Sequence, residues 1–366
     1  MTNLSELRAR IDELDERLIA LLSERAAVVE AVGTAKRADG GPIYAPDREK
    51  RVLARVRGLN HGPLPDRTVE AIWRELMSGS FALEQPLSIA FLGPEGSFSH
   101  GAARRHFGAS VEFCPCRSIA DVFRDVASRT CHYGMVPWEN SIIGGITDTH
   151  DAFTEFDVPV CAESMIEVKQ CAICSNGLDG ITHIASKPQI LDQCRAWIRA
   201  HLPEAEVVAT TSSAHAVQRA AEDPGICAIG SKLAAAIYGV TVQAEGIEDR
   251  PGNSTRFLIL GEQQPEPTGA DRTSLLFVTA HHPGALVDVL ACFRDNGINL
   301  SHIDKRPSSA GNWEYTFFAD ADAHRDDPPM AKVIEAAASL CSRFRVLGSY
   351  PQAVDVLQES DTHAQQ

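Results

Sequence analysis

Leu4, Leu7, Ile11, Leu14, Leu18, Leu22, Val29 and Val32 form a single apolar stripe at three- and four-residue spacing, the period of one face of an α-helix. The spacing predicts a helix over residues 4–38, about 50 Å long at 1.5 Å per residue, with "DGGP" at 39–42 as its stop. Two shorter helices are expected after it. One opens near Pro46 in "APDREKRVLARV" and one near Pro65 in "PDRTVEAIWRELMSGSFALEQP", because a first helical turn tolerates proline. Together they are too short to cover the stripe of the first. Residues 1–86 therefore read as an all-α module whose long helix needs a partner chain, so a homodimer or higher homo-oligomer is expected.

The pattern changes at residue 87. Short apolar runs, "LSIAFLG", "HYGMVPW", "ITHIAS", "EVVAT", "GICAIG" and "RFLILG", alternate with helical segments, which argues an α/β sheet architecture over residues 87–263. A polar, proline-bearing linker follows at 262–271. Residues 272–351 then read β-α-β-β-α-β, the order of a ferredoxin-like α+β module. The tail, 352–366, is expected to be disordered.

A length of 366 residues suits two to three domains. The net charge of −15 argues against nucleic acid or an anionic membrane as partner, so any anion must be bound in local basic pockets. The N-terminus lacks the apolar core of a signal peptide and no apolar run approaches a membrane span; a cytoplasmic protein is expected. The ten cysteines read as reduced core thiols. Cys114-x-Cys116 and Cys171-x-x-Cys174 could each be half of a zinc site, but neither is followed by a second pair. No metal and no cofactor is expected.

Charged residues interrupt the helical seam. At 100° per residue Arg25 and Lys36 fall within about 20° of Leu18, in the middle of the stripe, with Arg8 at its edge. Ser80 and Glu84 continue the line of Val69, Trp73, Leu76 and Met77 on the third helix. Such a lining suits a small anion held in a bundle core. The stretch from Leu7 to Leu53 resembles the helical chorismate mutase family, in which two chains interlock their helices. The resemblance implies that Arg25, with Arg8 of the partner chain, holds the two carboxylates of chorismate. It also implies that Lys36 and Glu84 flank the ether oxygen whose bond breaks, while Arg48, Glu49 and Ser80 complete the wall. Ala45 stands where the family commonly has an acid. The reaction is a concerted rearrangement, so the protein need only hold the folded conformer and stabilise charge on the ether oxygen.

Arg256 poses a separate question, because "NSTRFLIL" puts a guanidinium at the head of an apolar strand, where a buried charge needs a partner. Three hydroxyl-rich turns opening helices, "FLGPEGSFSH", "VPWENSIIGG" and "ATTSSAHAV", are candidate carboxylate sites. With "NSTRF" they resemble prephenate dehydratases over about 175 residues, a family of two α/β lobes shared in shape with type II periplasmic binding proteins. The resemblance implies that Thr255 donates to the departing hydroxyl and that Arg256 faces a carboxylate of prephenate. Thr211, Ser212 and Asn140 would bind substrate, and Glu139 or water would supply the proton. Ile142-Ile143 and Lys187 depart from the family pattern.

Residues 272–351 resemble the ACT regulatory domain. Gly284, Ala285, Leu286 and Val287 match its effector motif, and Asp304, Lys305, Arg306 and Pro307 match a second motif in part, which implies L-phenylalanine as effector. Mutase, dehydratase and ACT in this order resemble the bifunctional enzymes of phenylalanine synthesis. The alternatives are an arogenate dehydratase and a catalytically silent amino-acid sensor. A fused dehydrogenase is not expected, because no strand leads into G-x-G-x-x-G.

Overall fold

The computed structural model describes residues 3–39, 44–307, 315–353 and 356–357. Residues 40–43, which hold most of the expected helix stop, and the end of the tail from 358 lie outside them. The chain divides into two units. The first comprises the described residues up to 45, then 52–87 and 107–112; the second comprises 46–51, 88–106 and 113 onward.

Three helices come first: α1 (Leu4–Asp39), α2 (Pro46–Leu59) and α3 (Asp66–Glu84). Pro46 occupies the first turn of α2 as expected, and Pro65 caps α3 from one residue outside. Within the first unit α1 packs along α3. At Gly33 a side chain would put a Cβ 2.9 Å from Glu84 Cγ, so glycine is what lets the end of α3 close on α1. Tyr44 is buried between Phe81 and Phe107. The rest of the α1 stripe is bare in the single chain: Leu4, Leu7, Ile11, Leu14, Leu18 and Val32 are each at least 42% exposed.

In the second unit the strands and helices run β1 (Ser88–Leu92), α4 (Phe98–Phe107), β2 (Glu112–Cys116), α5 (Ile119–Ala127), β3 (Tyr133–Asn140), β4 (Gly144–Gly145), α6 (Thr147–Glu155) and β5 (Val160–Glu167). The chain then enters a second lobe: β6 (Cys171–Ile173), β7 (His183–Ser186), α7 (Pro188–Gln193), α8 (Arg195–His201), β8 (Glu206–Ala209), α9 (Ser213–Glu222), β9 (Ile226–Gly230), α10 (Lys232–Tyr238) and β10 (Val242–Glu245). It returns to the first lobe through β11 (Ser254–Leu260). It ends in β12 (Asp271–Thr279), α11 (Ala285–Asp295), β13 (Leu300–Pro307), β14 (Tyr315–Ala321), α12 (Pro328–Ser339), β15 (Cys341–Pro351) and β16 (Val356–Leu357).

Among the described residues these strands make three sheets. The first lobe is ordered β16-β5-β11-β3-β1-β2, with β4 on β3, and the second β10-β6-β9-β7-β8. The third, β13-β14-β12-β15, is antiparallel and carries α11 and α12 on one face, where Leu275, Phe277, Val289, Phe293 and Val333 form a core. Its other face has no helices of its own. Leu276, Phe318, Leu347 and Tyr350 on that side join Phe123, Trp138 and Phe153 in the core of the first lobe.

All six expected α/β strands are present. β5 was not among them, and its sequence explains why: Glu163 and Ser164 break the apolar run, yet both are buried.

The ten cysteines form no disulfide; seven are buried and Cys114, Cys292 and Cys341 are partly so. Neither zinc half-site joins a group of three ligand side chains among the described residues. Burial pushes the thiols of Cys116, Cys131 and Cys194 up to about 12 and that of Cys341 to about 11, far from the thiolate form that reacts. A thiol-reactive dye added to native protein should label at most the three partly buried cysteines quickly, and all ten after unfolding. Fast labelling of more than three would contradict this packing.

Candidate active sites and a buried ion network

In the helical unit the structure brings four of the expected residues together. Arg25 Nη1 donates to Ser80 Oγ at 2.9 Å and Lys36 Nζ to Glu84 Oε2 at 3.0 Å, across the contact that Gly33 permits. Ser80 and Glu84 are buried, so two cations of α1 meet two polar groups of α3 in a largely apolar seam. Arg8 is not part of this group. It lies seventeen residues before Arg25 on the same helix, roughly 25 Å away along its axis, and can reach such a seam only on another copy. Arg48 and Glu49 stand in the first turn of α2, in the second unit. Ala45 caps that helix with no side-chain hydrogen bond.

In the α/β lobes Thr255 and Arg256 part company. Successive strand residues point to opposite faces, and their neighbours on β3 follow them: Thr255 pairs with Asn140, and Arg256 with Glu139. On one face Asn140 Nδ2 donates to Thr255 Oγ1 at 2.9 Å and to Asn253 Oδ1 at 2.7 Å. Asn140 Oδ1 accepts from the backbone of Ile142 and Ile143, which sets the orientation of the amide. The Ile142-Ile143 departure thus donates both backbone N–H groups to Asn140 and leaves the two side chains exposed. With its oxygen accepting from Asn140, Thr255 keeps its hydroxyl proton for another acceptor. Thr211 and Ser212 sit at the N-terminus of α9 in the second lobe, where Ser212 Oγ accepts from the backbone of His215. Lys187 holds the corresponding position before α7 without a side-chain cap. Ser231 Oγ donates across the lobes to Gly96 O at 2.6 Å.

On the other face Arg256 is 6% exposed and already has its anions. It pairs with Asp320 of β14, with Glu163 of β5 at 3.4 Å and with Glu139 at 3.7 Å. Glu163 also takes Arg272 at 2.7 Å, and Asp320 accepts from Ser274 Oγ. Where the resemblance led one to expect a substrate carboxylate, this structure places protein carboxylates against Arg256: strand parity turns it to the C-terminal sheet. Burial alone would lower the Arg256 pKa, but Asp320, Tyr350 and Glu163 outweigh it and raise it. For Asp320 burial pushes upward, and Arg256 with the Ser274 hydroxyl brings the net shift below the usual carboxylate range.

Glu139 turns the same way. Trp138 is the extra residue of a β-bulge, where the register with β11 slips, and both Trp138 and Glu139 meet His302 of β13. The hydrogen bond from His302 is the largest cause of a lowered Glu139 pKa, with burial opposing and Arg256 assisting. A carboxylate so held stays ionised at neutral pH and is engaged with His302 and Arg256, which bears on the choice between Glu139 and water that the sequence left open.

The C-terminal module has a cavity of about 300 Å³ lined by Gly284, Ala285, Leu286 and Val287 together with His281, Tyr315 and Phe317. The second expected effector motif does not join it. On β13 the residues alternate, and Asp304 and Arg306 face the first lobe, Arg306 in a two-pronged pair with Asp151 at 3.0 Å; Pro307 ends the strand.

The sequence matches two families in succession: Chorismate mutase type II over residues 7–85 and Prephenate dehydratase over residues 89–265. A protein of Stutzerimonas stutzeri described as bifunctional chorismate mutase/prephenate dehydratase is 44% identical over 96% of this chain and 98% of its own length. The chain belongs to the bifunctional chorismate mutase/prephenate dehydratase family. Among solved structures, the prephenate dehydratase of Arthrobacter aurescens in complex with L-Phe is 33% identical, with a TM-score of 0.68 over 73% of this chain and 90% of its own. The prephenate dehydratase of Staphylococcus aureus subsp. aureus Mu50 is 29% identical, with a TM-score of 0.60 over 72% of this chain and all of its own. Within this bifunctional family member, sequence reading missed Asn253, Glu163, Arg272, His302 and Asp320. Asp320 carried the signal that singled out Arg256, a charge inside an apolar run, "TFFADA".

Removing one partner of a buried pair strands the other, at about 3–5 kcal/mol. Asp320→Ala should lower unfolding free energy by that order in denaturant titrations, and combining it with Arg256→Met should recover a large part. Because the folded pKa of Asp320 is depressed, its contribution is complete above the ordinary carboxylate range near 4 and is lost as pH falls through the folded value. Additive losses in the double variant would refute the pairing.

Proposed function

We infer that the chain converts chorismate to prephenate in its helical unit and prephenate to phenylpyruvate between its two α/β lobes, consecutive steps toward phenylalanine. The observation that carries this reading is the seam of α1 and α3, where Arg25 with Ser80 and Lys36 with Glu84 line a groove with cationic donors. Arg25 would hold a carboxylate of chorismate while Lys36 donates to the ether oxygen as negative charge grows on it. Glu84 anchors Lys36 from α3. The exposed α1 stripe is the surface for a second copy, whose Arg8 would supply the second carboxylate contact.

For the second step Thr255, oriented by Asn140, donates its hydroxyl proton toward the departing hydroxyl. Thr211, Ser212 and the free N–H groups at the start of α9 take a carboxylate. The loss of CO2 needs a carboxylate that is not stabilised where it leaves, and the engagement of Arg256 on the far face keeps that cation out of the way. Water, rather than Glu139, then delivers the proton. No metal or redox cofactor enters either step as drawn. A cytoplasmic setting suits a chain of ten cysteines and no disulfide.

The C-terminal module is read as a ferredoxin-like ACT domain. Its β-α-β-β-α-β order and its strand order, with the first strand (β12) between the third and fourth, support that reading, and the cavity at Gly284–Val287 is of a size for L-phenylalanine. Ala285→Trp should fill it and abolish feedback by phenylalanine in a dehydratase assay while the uninhibited rate persists; undiminished inhibition would place the effector elsewhere.

The direct test is incubation with chorismate, following prephenate and phenylpyruvate. Neither product would favour a silent sensor, and turnover of arogenate in preference to prephenate would reassign the second step. Arg25→Ala should abolish prephenate formation and spare phenylpyruvate formation from added prephenate. Thr255→Val should do the reverse, with a loss of about 10²-fold or more in kcat. One substitution that stops both reactions in folded protein would defeat the two-site reading.

A further inference from the structure

Helix α6 and strand β13 bring together three groups that neither reaction uses. His302 and Asp304 stand two residues apart on β13, on the side that faces the first lobe. His150 on α6 is 1% exposed and meets them there. One ring nitrogen from each histidine and one carboxylate oxygen of Asp304 lie within 4.8 Å of one another, with His150 Nδ1 3.9 Å from Asp304 Oδ2.

Two further observations point to a ligand. His150 Nε2 and His302 Nε2 are both buried, and neither has a hydrogen-bond partner among the described residues. A buried polar nitrogen left unmatched is destabilising, and here two occur beside a carboxylate. Gly145 also packs its backbone against the same group. A Cβ there would lie 2.2 Å from Asp304 Oδ2 and 2.6 Å from His150 Cε1, so any larger residue would push these atoms apart. Glu139 Oε2 stands 3.4 Å from His302 Nδ1, the outer carboxylate that commonly orients a ligating imidazole and leaves its second nitrogen for the ion. Trp138 and Phe318 wall the site.

We propose that His150, His302 and Asp304 form a binding site for a divalent transition ion of the zinc type, which clips α6 of the first lobe to β13 of the C-terminal module. Two imidazoles and one carboxylate favour zinc or cobalt over magnesium or calcium, which take oxygen ligands. Three protein ligands leave a fourth position for water. Zinc–ligand distances of about 2.0–2.2 Å require the three side chains to draw together from their present spacing.

The test uses the full chain, stripped with a chelator and dialysed against Zn²⁺ or Co²⁺. Wild type should retain one equivalent per chain, show a raised Tm with the ion, and give a Co²⁺ spectrum without an intense thiolate charge-transfer band. His150→Leu and Asp304→Asn should each weaken binding by about a hundredfold or more and remove the Tm shift. Gly145→Ala, which keeps every ligand but pushes these atoms apart, should weaken it as well and serves if His150→Leu does not fold. No stoichiometric binding by wild type would overturn the proposal. So would binding unchanged in Gly145→Ala and Asp304→Asn, or a thiolate band, which would put the ion on cysteines.

Discussion

Four charges buried between two sheets hold the second unit in register. Arg256, Arg272, Glu163 and Asp320 neutralise one another, with Glu163 and Asp320 fully buried. Further carboxylate lone pairs take the Ser274 hydroxyl, on Asp320, and the Ala353 N–H, on Glu163, while the Tyr350 phenol bonds to Ser274 in turn. Apolar contact is non-directional, whereas these paired charges meet their hydrogen-bond partners in one relative position of the C-terminal sheet and the first lobe.

That network also explains what could and could not be read from the sequence. The helical unit was legible almost to the residue, because an apolar stripe at helical spacing is a strong signal and Arg25, Lys36, Ser80 and Glu84 interrupt it visibly. The C-terminal module was legible from its alternation of elements. Strand β5 was not, since the carboxylate at Glu163 makes a central strand look like a loop. Parity was the other gap. "STR" gives two functional residues in a row, and only the register with β3 tells that Thr255 and Arg256 serve opposite faces. The bulge at Trp138 then breaks the alternation on β3 just before Glu139, a local irregularity that no periodicity announces.

The two units differ in the polar groups they gather. The helical unit sets Arg25 and Lys36 of α1 against Ser80 and Glu84 of α3, whereas the α/β lobes carry hydroxyls, an amide and a helix terminus and keep Arg256 engaged with carboxylates. On the function proposed above, each set matches the charge its reaction develops: cations where an ether oxygen becomes negative, neutral donors where a carboxylate has to leave.

The shared core of the first lobe and the C-terminal sheet carries an evolutionary consequence. Trp138, Phe318 and Tyr350 belong to one packed body, so the C-terminal module is not a detachable appendage of the catalytic lobes. Without it Trp138 would lose its contact with Phe318 and Arg256 its pair with Asp320, leaving Glu163 and Glu139 to hold the guanidinium. Shortening the chain at that point would uncover an apolar face and thin an ion network at once, whereas adding the module covers both.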